Sequence, residues 1–327
     1  MKTAAFLSPG GDLSAGIDLA RRADSLGYDS VWVTHGLGRD SFLVLAAYGA
    51  VTTRARLGVG VLPIYPRHPV TTAQAALTLS EQTGGRYVLG LGVSHRASME
   101  HQLGLKLEDP LGVMREYVAV LRGAFGDGAR FEGKHYRVQW SMALPGRLPA
   151  PPIYLAALSA KMLELAGEIA DGVILWLCDP HYVRTVAMPA LERGRRRAGK
   201  DLTGFEIVAS VPLAVTDDVA KARDTFRGEL ARYLALPFYR AMLKASGHGA
   251  SLQRFDAGQA APSTAQPSRM VVDDALVDAL GAIGTAAHCR AYVDAYRAAG
   301  VTLPAIRPIA FPDAPWYRRT LEEAAGA

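Results

Sequence analysis

The 327-residue sequence is poor in cysteine and contains no long uninterrupted apolar run. Its two cysteines, Cys178 and Cys289, form neither a disulfide framework nor a CxxC metal or redox motif, which favours a reducing, cytoplasmic setting. Charged residues interrupt every apolar stretch well before the roughly 18 residues that a membrane-spanning helix needs, so we expect no membrane segment. Only a very short apolar run precedes Pro9, so we also expect no signal peptide.

The sequence also lacks a strong charge of one sign. Thirty-six Lys and Arg against thirty-one Asp and Glu give a formal net charge of +5, dispersed along the chain. Such a mild excess suits anionic ligands but is a weak indication of nucleic-acid binding, and we expect no nucleic-acid partner. Because half of the residues are hydrophobic, the chain can bury a large core, and its length allows one barrel or two domains.

Short β-branched runs alternate with longer helical patterns from end to end. The eight predicted strands are 3–7, 30–34, 57–64, 87–93, 153–157, 172–177, 205–215 and 306–311. No change of composition marks a linker, and the strands are continuously apolar. The pattern predicts an α/β protein, a single (β/α)8 TIM barrel over residues 1–327. A doubly wound, two-domain chain is the alternative.

Two insertions interrupt this pattern, one after strand four and one after strand seven. The first covers about 126–152, is rich in Gly and Pro, and includes a predicted hairpin at 129–138. The second covers about 237–270. Its segment 251–268 is of low complexity, rich in Ala, Gln, Pro and Ser, and we expect it to be mobile.

The chemistry of a TIM barrel lies at the C-terminal ends of its strands. None of the seven lysines falls at a predicted strand end, which argues against a Schiff-base enzyme. Asp179 is the only acid there, whereas glycosidases need two, and the eight histidines form no metal-binding motif, so we predict no metal. The GxG pairs at Gly58 and Gly90 lie inside strands and indicate close packing of the barrel interior. A pocket with so few reactive groups of its own points to an organic cofactor.

Two histidines are the candidate catalytic residues. His35 ends strand two and is followed by Gly36-Leu37-Gly38, where the chain can bend close to a ligand, and His95 ends strand four. At Leu158-Ser159-Ala160 a helix begins with small residues, so an anion can dock at its free N–H groups, although Ser159 can equally be a plain N-cap.

Five segments resemble a known family. They are ADSLGYDSVWVTH (23–35), RLGVGVLP (56–63), GGRYVLGLGVSH (84–95), LAALSAKMLELAGEIADGVILW (155–176) and GTAAHCRAYVDAYRAAGV (284–301). Together they are similar to the bacterial-luciferase-like superfamily of flavin and deazaflavin enzymes, and within it to the actinobacterial branch that depends on coenzyme F-420 (F420). The resemblance covers nearly the whole chain.

The resemblance assigns roles to residues at the strand ends. It implies that His35 faces the deazaflavin ring and the substrate, with His95 as a second catalytic candidate. It also implies a non-prolyl cis peptide around Gly60-Val61 against which the ring rests. The cofactor-binding residues predicted in this way are Ser8, Gly60, Val61, Leu62, Ser94, Ala157, Leu158, Ser159, Ala160, Met162 and Trp176.

The chain departs from its relatives at two positions. Thr34 stands where many relatives have an acid, and His95 stands where some sugar-phosphate dehydrogenases of the family have a glutamate. Both differences argue against assigning to this chain the proton-transfer mechanism of a relative, and against glucose-6-phosphate as its substrate.

The resemblance implies a cytoplasmic, F420-dependent oxidoreductase, expected to be a homodimer. It would transfer hydride between the deazaflavin C5 and a C=C, C=N or C=O bond of a small molecule, and we expect a role in secondary metabolism. One alternative is an FMN-dependent monooxygenase on the same barrel, and a second is a non-catalytic protein that binds deazaflavin or flavin. The insertions are the least patterned segments, so the sequence leaves the substrate open.

Overall fold

Eight parallel strands close into a barrel with helices between them. The computed structural model describes residues 2–8, 10–35, 38–126, 128–141, 148–260 and 271–325. The strands in this part of the chain are β1 (Ala4–Leu7), β2 (Ser30–Val33), β3 (Arg56–Val59), β4 (Leu62–Pro63), β5 (Tyr87–Gly92), β6 (Ala129–Glu132), β7 (Arg137–Trp140), β8 (Ile153–Ala156), β9 (Gly172–Leu175), β10 (Glu206–Val215), β11 (Ala282–Gly284) and β12 (Leu303–Pro308). The barrel order is β1-β2-β3-β5-β8-β9-β10-β12, and β12 pairs with β1 to close it. The closed barrel confirms the predicted fold and overturns the doubly wound alternative.

Helices separate consecutive barrel strands and pack around them. They are α1 (Leu13–Ser25), α2 (Ser41–Gly49), α3 (Pro69–Gln82), α4 (Pro110–Ala124), α5 (Ala160–Ile169), α6 (Pro180–Tyr182), α7 (Met188–Arg197), α8 (Val219–Leu234), α9 (Pro237–Ala245), α10 (Gly249–Ala260), α11 (Asp274–Leu280), α12 (Ala286–Ala298) and α13 (Tyr317–Glu323), with π-helical turns at Ala97–Gln102 and Val183–Ala187. Short polar side chains cap several of the N-termini. Ser159 caps α5, one of the two roles that the sequence allows it, Thr285 caps α12, and Asp12 caps α1.

Two apolar layers hold the fold together. Inside the barrel a small cluster of alternate strand residues includes Phe6, Trp32, Tyr154 and Ile174, all at most 4% exposed. A larger cluster fills the space between the barrel and the helices. Glycine is required where the interior side chains are largest, since a Cβ on Gly58 would lie 2.4 Å from the Trp32 ring. This confirms that the strand glycines serve close packing.

The predicted third strand is divided into β3 and β4. The peptide bond between Gly60 and Val61 is cis, as the family resemblance implies, and it interrupts the strand after Val59. Beyond the interruption, β4 continues along β5 with Leu62 opposite Leu91.

The two insertions contain regular structure. The antiparallel pair β6–β7 confirms the predicted hairpin, and residues 142–147 lie outside the described residues. The expectation of a mobile segment from 251 onward is wrong for its first part, because α10 continues to Ala260 and buries Leu252 and Phe255. The rest of that segment, 261–270, is outside the described residues. Among the helices described, none is both long and apolar enough to cross a membrane.

Candidate active site

A cavity of about 860 Å³ opens at the C-terminal end of the barrel. Its walls come from the ends of β2, β4, β5, β8 and β9, from the start of α5, and from α8 and α9. Ten of the thirteen predicted site residues line it: His35, Gly60, Val61, Ser94, His95, Ala157, Leu158, Ser159, Met162 and Trp176. Strand ends distant in sequence therefore meet around one cavity, as the barrel topology predicts, and their roles remain predictions.

His35 is held by the start of α2. The backbone N–H of Ser41 lies 3.2 Å from His35 Nδ1, and the Ser41 hydroxyl lies 3.0 Å from the same nitrogen. Because a backbone N–H can only donate, Nδ1 is an acceptor and the proton of the neutral ring is on Nε2. No residue in the described ranges bonds to Nε2, so this N–H is available to a ligand.

Burial keeps His35 neutral. Removal from water lowers its pKa below the ordinary value, and the cationic Arg67 adds to this, while the carboxylate of Asp40 opposes it. At neutral pH the ring is therefore an uncharged hydrogen-bond donor with a fixed tautomer.

His95 is less constrained than His35. Burial lowers its pKa as well, but its ring has no hydrogen-bond partner in the described part of the chain, and its nearest ring neighbour is Tyr239, at 5.7 Å between centroids. The preceding residue, Ser94, adopts a left-handed backbone conformation with φ of 63°. Such a conformation is uncommon outside glycine and directs the chain into the cavity at the end of β5.

One wall is formed by bare backbone and Val61. Gly92 lies directly behind Val61, since a Cβ on Gly92 would come within 2.4 Å of Val61 Cγ2. Val61 follows the cis peptide bond and faces the cavity. The result is a flat, apolar surface against which a planar ring system can pack.

The start of α5 forms the polar end of the cavity. Ser159 caps the helix by accepting a hydrogen bond from the Met162 N–H at 3.3 Å. The first-turn N–H groups of Ala160 and Lys161 have no partner within the helix, and Lys161, which is exposed, is among the residues that line the cavity. Free N–H groups, the helix dipole and one ammonium group together favour an anion such as a phosphate.

Three predicted cofactor-binding residues do not line the cavity. Leu62 is fully buried between the barrel and the helices. Ser8 donates its backbone N–H to the Tyr317 hydroxyl at 2.9 Å and is not among the residues that line the cavity. Ala160 is exposed at the first position of α5, so only its N–H can contribute. The alternation of side chains along a strand and the exposed start of the helix therefore keep these side chains out of the cavity.

Several lining residues were not predicted. Arg39 donates to the carbonyls of Gly10 and Gly11, and Arg67 pairs with Asp40. Lysine is not absent from the site, since Lys161 lines it from a helix rather than from a strand end. Tyr233, Phe238 and Tyr239 belong to α8 and α9, for which the sequence gives only a helical pattern or an unpatterned insertion.

Asp179, the single acid at a predicted strand end, has a structural role. It accepts hydrogen bonds from the Ser246 hydroxyl at 2.7 Å and from His248 Nε2 at 2.5 Å, and it caps α6. Burial raises its pKa, but these hydrogen bonds outweigh burial and leave the pKa below the ordinary value. Asp179 thus anchors the turn between α9 and α10, which contains His248, to the barrel.

Sequence comparison identifies the family. The model of the luciferase-like monooxygenase family matches residues 1–303. The chain belongs to this family. Luciferase-like relatives include a Mycobacterium tuberculosis protein that carries the name coenzyme F420-dependent oxidoreductase, 30% identical over 315 residues and 88% of each chain. A 5,10-methylenetetrahydromethanopterin reductase of Methanolobus tindarius is 30% identical over 287 residues and 86% of each chain.

Solved structures of other proteins share the barrel. The F420-dependent tetrahydromethanopterin reductase of Methanopyrus kandleri superposes with a TM-score of 0.85, at 23% identity over 99% of this chain and 97% of that one. The oxygenating component of 3,6-diketocamphane monooxygenase from Pseudomonas putida, in complex with FMN, has a TM-score of 0.72 at 18% identity, over 100% and 97% of the two chains. At these identities the likeness shows the fold alone, and the two neighbours carry different cofactors.

The cavity of this luciferase-like chain fits a phosphate-bearing flavin or deazaflavin. It has the volume for a tricyclic ring with a side chain, a flat wall at Val61 and an anion-binding helix start at Ser159. His35 offers one donor from a half-buried position. The residues that line the cavity are therefore compatible with a bound organic cofactor of this kind.

Proposed function

We propose that this chain is an F420-dependent oxidoreductase that transfers hydride between the deazaflavin C5 and an unsaturated C=C, C=N or C=O bond of a small molecule. The observation that carries the proposal is the composition of the cavity. It joins an anion-binding helix start and a flat apolar wall to one hydrogen-bond donor with a fixed tautomer, His35. The F420-dependent relatives favour the deazaflavin over FMN.

Each part of the cavity has a proposed task. The N–H groups at the start of α5 and the ammonium of Lys161 would hold the phosphate. Val61 would support the ring, and the Nε2–H of His35 would donate to the substrate atom that gains negative charge. When bound, F420 supplies or accepts the hydride at C5. The chain's own contribution is to orient the two reactants and to exclude water.

The second candidate is an FMN-dependent monooxygenase, which the FMN-bound structural neighbour favours. An anaerobic assay separates the two. Reduced F420 and a panel of quinones, enones and imines are mixed with the protein, and reappearance of oxidised F420 is followed by its absorbance. We expect protein-dependent oxidation without oxygen. Oxygen uptake with reduced FMN and incorporation of oxygen into a product would instead support the monooxygenase.

The finer parts of the proposal follow from the sequence. A cytoplasmic location, a homodimer and a role in secondary metabolism stay predictions.

A further inference from the structure

One side of the cavity is an aromatic wall, formed by Trp176, Tyr233, Phe238 and Tyr239. The rings of Tyr233 and Tyr239 meet edge to face at 4.8 Å between centroids, and those of Trp176 and Tyr233 are 6.3 Å apart. The wall lies opposite β2 in the barrel order, because β9 is four strands away from β2.

The mouth of the cavity beside this wall is apolar and open to solvent. Phe238 is 49% exposed and Leu103 is 44% exposed, and both line the cavity. An exposed apolar patch beside a cavity is typical of a ligand-binding groove. A ligand that lies on the wall would cover them.

The ionic groups of the cavity lie elsewhere or are already engaged. Lys161 is at the start of α5, Arg39 is bound to two backbone carbonyls, and Arg67 is paired with Asp40. The four residues of the aromatic wall are uncharged. Arg307 lies behind the wall, 5.1 Å from the Trp176 ring, but it is paired with Glu229 and is not among the residues that line the cavity. The polar neighbour of the wall is His95, 5.7 Å from Tyr239, and burial lowers the pKa of this histidine, so it is neutral at neutral pH.

This distribution of charge determines which ligands suit the wall. Aromatic rings attract other planar rings through dispersion and edge-to-face contacts. A carboxylate or phosphate placed there would lose its hydration without gaining a cationic partner, and it would meet the negative faces of the rings. A neutral carbonyl or ring nitrogen can instead accept a hydrogen bond from His95.

We propose that the substrate site of this chain, which rests on the proposed function above, is built for an uncharged, planar aromatic or conjugated molecule. The ring of the ligand packs on Tyr233, Tyr239 and Phe238, and its polar atom bonds to His95. A substrate that carries its own carboxylate or phosphate is excluded from this wall.

The charge preference is tested with two probes of equal size, 2-naphthamide and 2-naphthoate. Their affinities are measured by titration calorimetry on the F420-loaded protein. We expect the neutral amide to bind at least tenfold more tightly than the carboxylate. Equal affinity, or tighter binding of 2-naphthoate, would overturn the proposal.

The location is tested with two exposed phenylalanines. Phe238→Ala removes a ring from the cavity mouth, whereas Phe311→Ala removes a ring that is 60% exposed and does not line the cavity. We expect about a fivefold weaker affinity for 2-naphthamide in the first variant, as for one lost aromatic contact, and no change in the second. An unchanged affinity in Phe238→Ala, or the same loss in both variants, would place the probe elsewhere.

A titration with F420 and with FMN distinguishes failure of the proposed substrate site from failure of the proposed oxidoreductase function. If neither F420 nor FMN binds, the proposed oxidoreductase function fails, and the two probes are then compared on the protein alone. Tighter binding of the neutral probe that is lost in Phe238→Ala still supports a substrate site on the aromatic wall. If no such difference is found, the proposed substrate site is wrong whether or not a cofactor binds.

Discussion

The single backbone hydrogen bond from Ser41 to His35 determines what this histidine can do. It fixes the proton of the neutral ring on Nε2, and burial lowers the pKa so that the neutral ring dominates near pH 7. A fixed neutral donor polarises a substrate atom without adding a positive charge to the site.

His35→Ala should separate catalysis from binding. We expect kcat/KM to fall by about 10²–10³-fold, in the range of a lost acid–base or hydrogen-bonding group, while the dissociation constant of F420 changes by less than about threefold. Steady-state kinetics and fluorescence titration measure the two quantities. His101→Ala, at an exposed histidine that does not line the cavity, should leave both unchanged. Loss of F420 binding in His35→Ala would make His35 a cofactor ligand instead.

The lowered pKa of His35 also predicts the pH dependence of the wild-type protein. The neutral donor is lost when the ring gains a proton, which happens below the ordinary histidine pKa of about 6.5. The rate kcat/KM should be flat above that pH and decrease as the pH falls further. A decrease on raising the pH through neutrality would show that the protonated ring is the active form.

A buried ion pair lies behind Trp176. Arg307 donates to Glu229 at 2.9 Å, both side chains are about one-tenth exposed, and the guanidinium lies 5.1 Å from the Trp176 ring. Its Nε and Nη2 atoms have no hydrogen-bond partner in the described structure. The hydrogen bonding of the pair is thus incomplete. We expect the intact pair to add little to the free energy of unfolding, whereas either charge left buried without its partner would lower it strongly.

Arg307→Met should lower the free energy of unfolding by about 3 kcal/mol, because it leaves Glu229 buried without its partner. The double variant with Glu229→Gln should recover more than half of that loss, since no charge then remains buried. Urea denaturation of the wild-type protein, the single variants Arg307→Met and Glu229→Gln, and the double variant gives the coupling between the sites. Additive losses would mean that the two side chains act independently.

Among the elements, the paired strands β4 and β5 shape the cavity most directly. In Gly92→Ala the new methyl group would lie 2.4 Å from Val61 Cγ2 and must displace Val61 into the cavity. We expect at least a tenfold loss of F420 affinity in an otherwise folded protein, measured by fluorescence titration. Gly11→Ala, where no atom lies within 4 Å of the added methyl group, is the matched control. Unchanged affinity in Gly92→Ala would show that the ring does not rest on Val61.

The elements also show what the sequence could and could not predict. The eight barrel strands were predicted because each is a continuous apolar run between turn residues. The strand β11 was missed because three residues are too few for a pattern. The π-helical turn Ala97–Gln102 and the helix α10 were missed because neither a shifted hydrogen-bond register nor an Ala- and Gln-rich composition is distinctive in sequence.

At the scale of the whole molecule, closure of the barrel brings the strand ends together. His35, Ser94 and Trp176 could be placed in one site from strand order alone, because all strands are parallel and end at the same rim. The other aromatic residues of the wall could not, since Tyr233, Phe238 and Tyr239 reach the rim from helices that follow the seventh strand. The lining residues that were not predicted therefore lie on helices and connecting segments, which strand order does not constrain.

The central claim is that this cavity binds a deazaflavin. Equilibrium titration of the purified protein with oxidised F420 and, separately, with FMN tests it most directly, through the change in cofactor fluorescence. We expect saturable binding of F420 with an affinity at least tenfold higher than that of FMN. Tight binding of FMN with no detectable binding of F420 would contradict it.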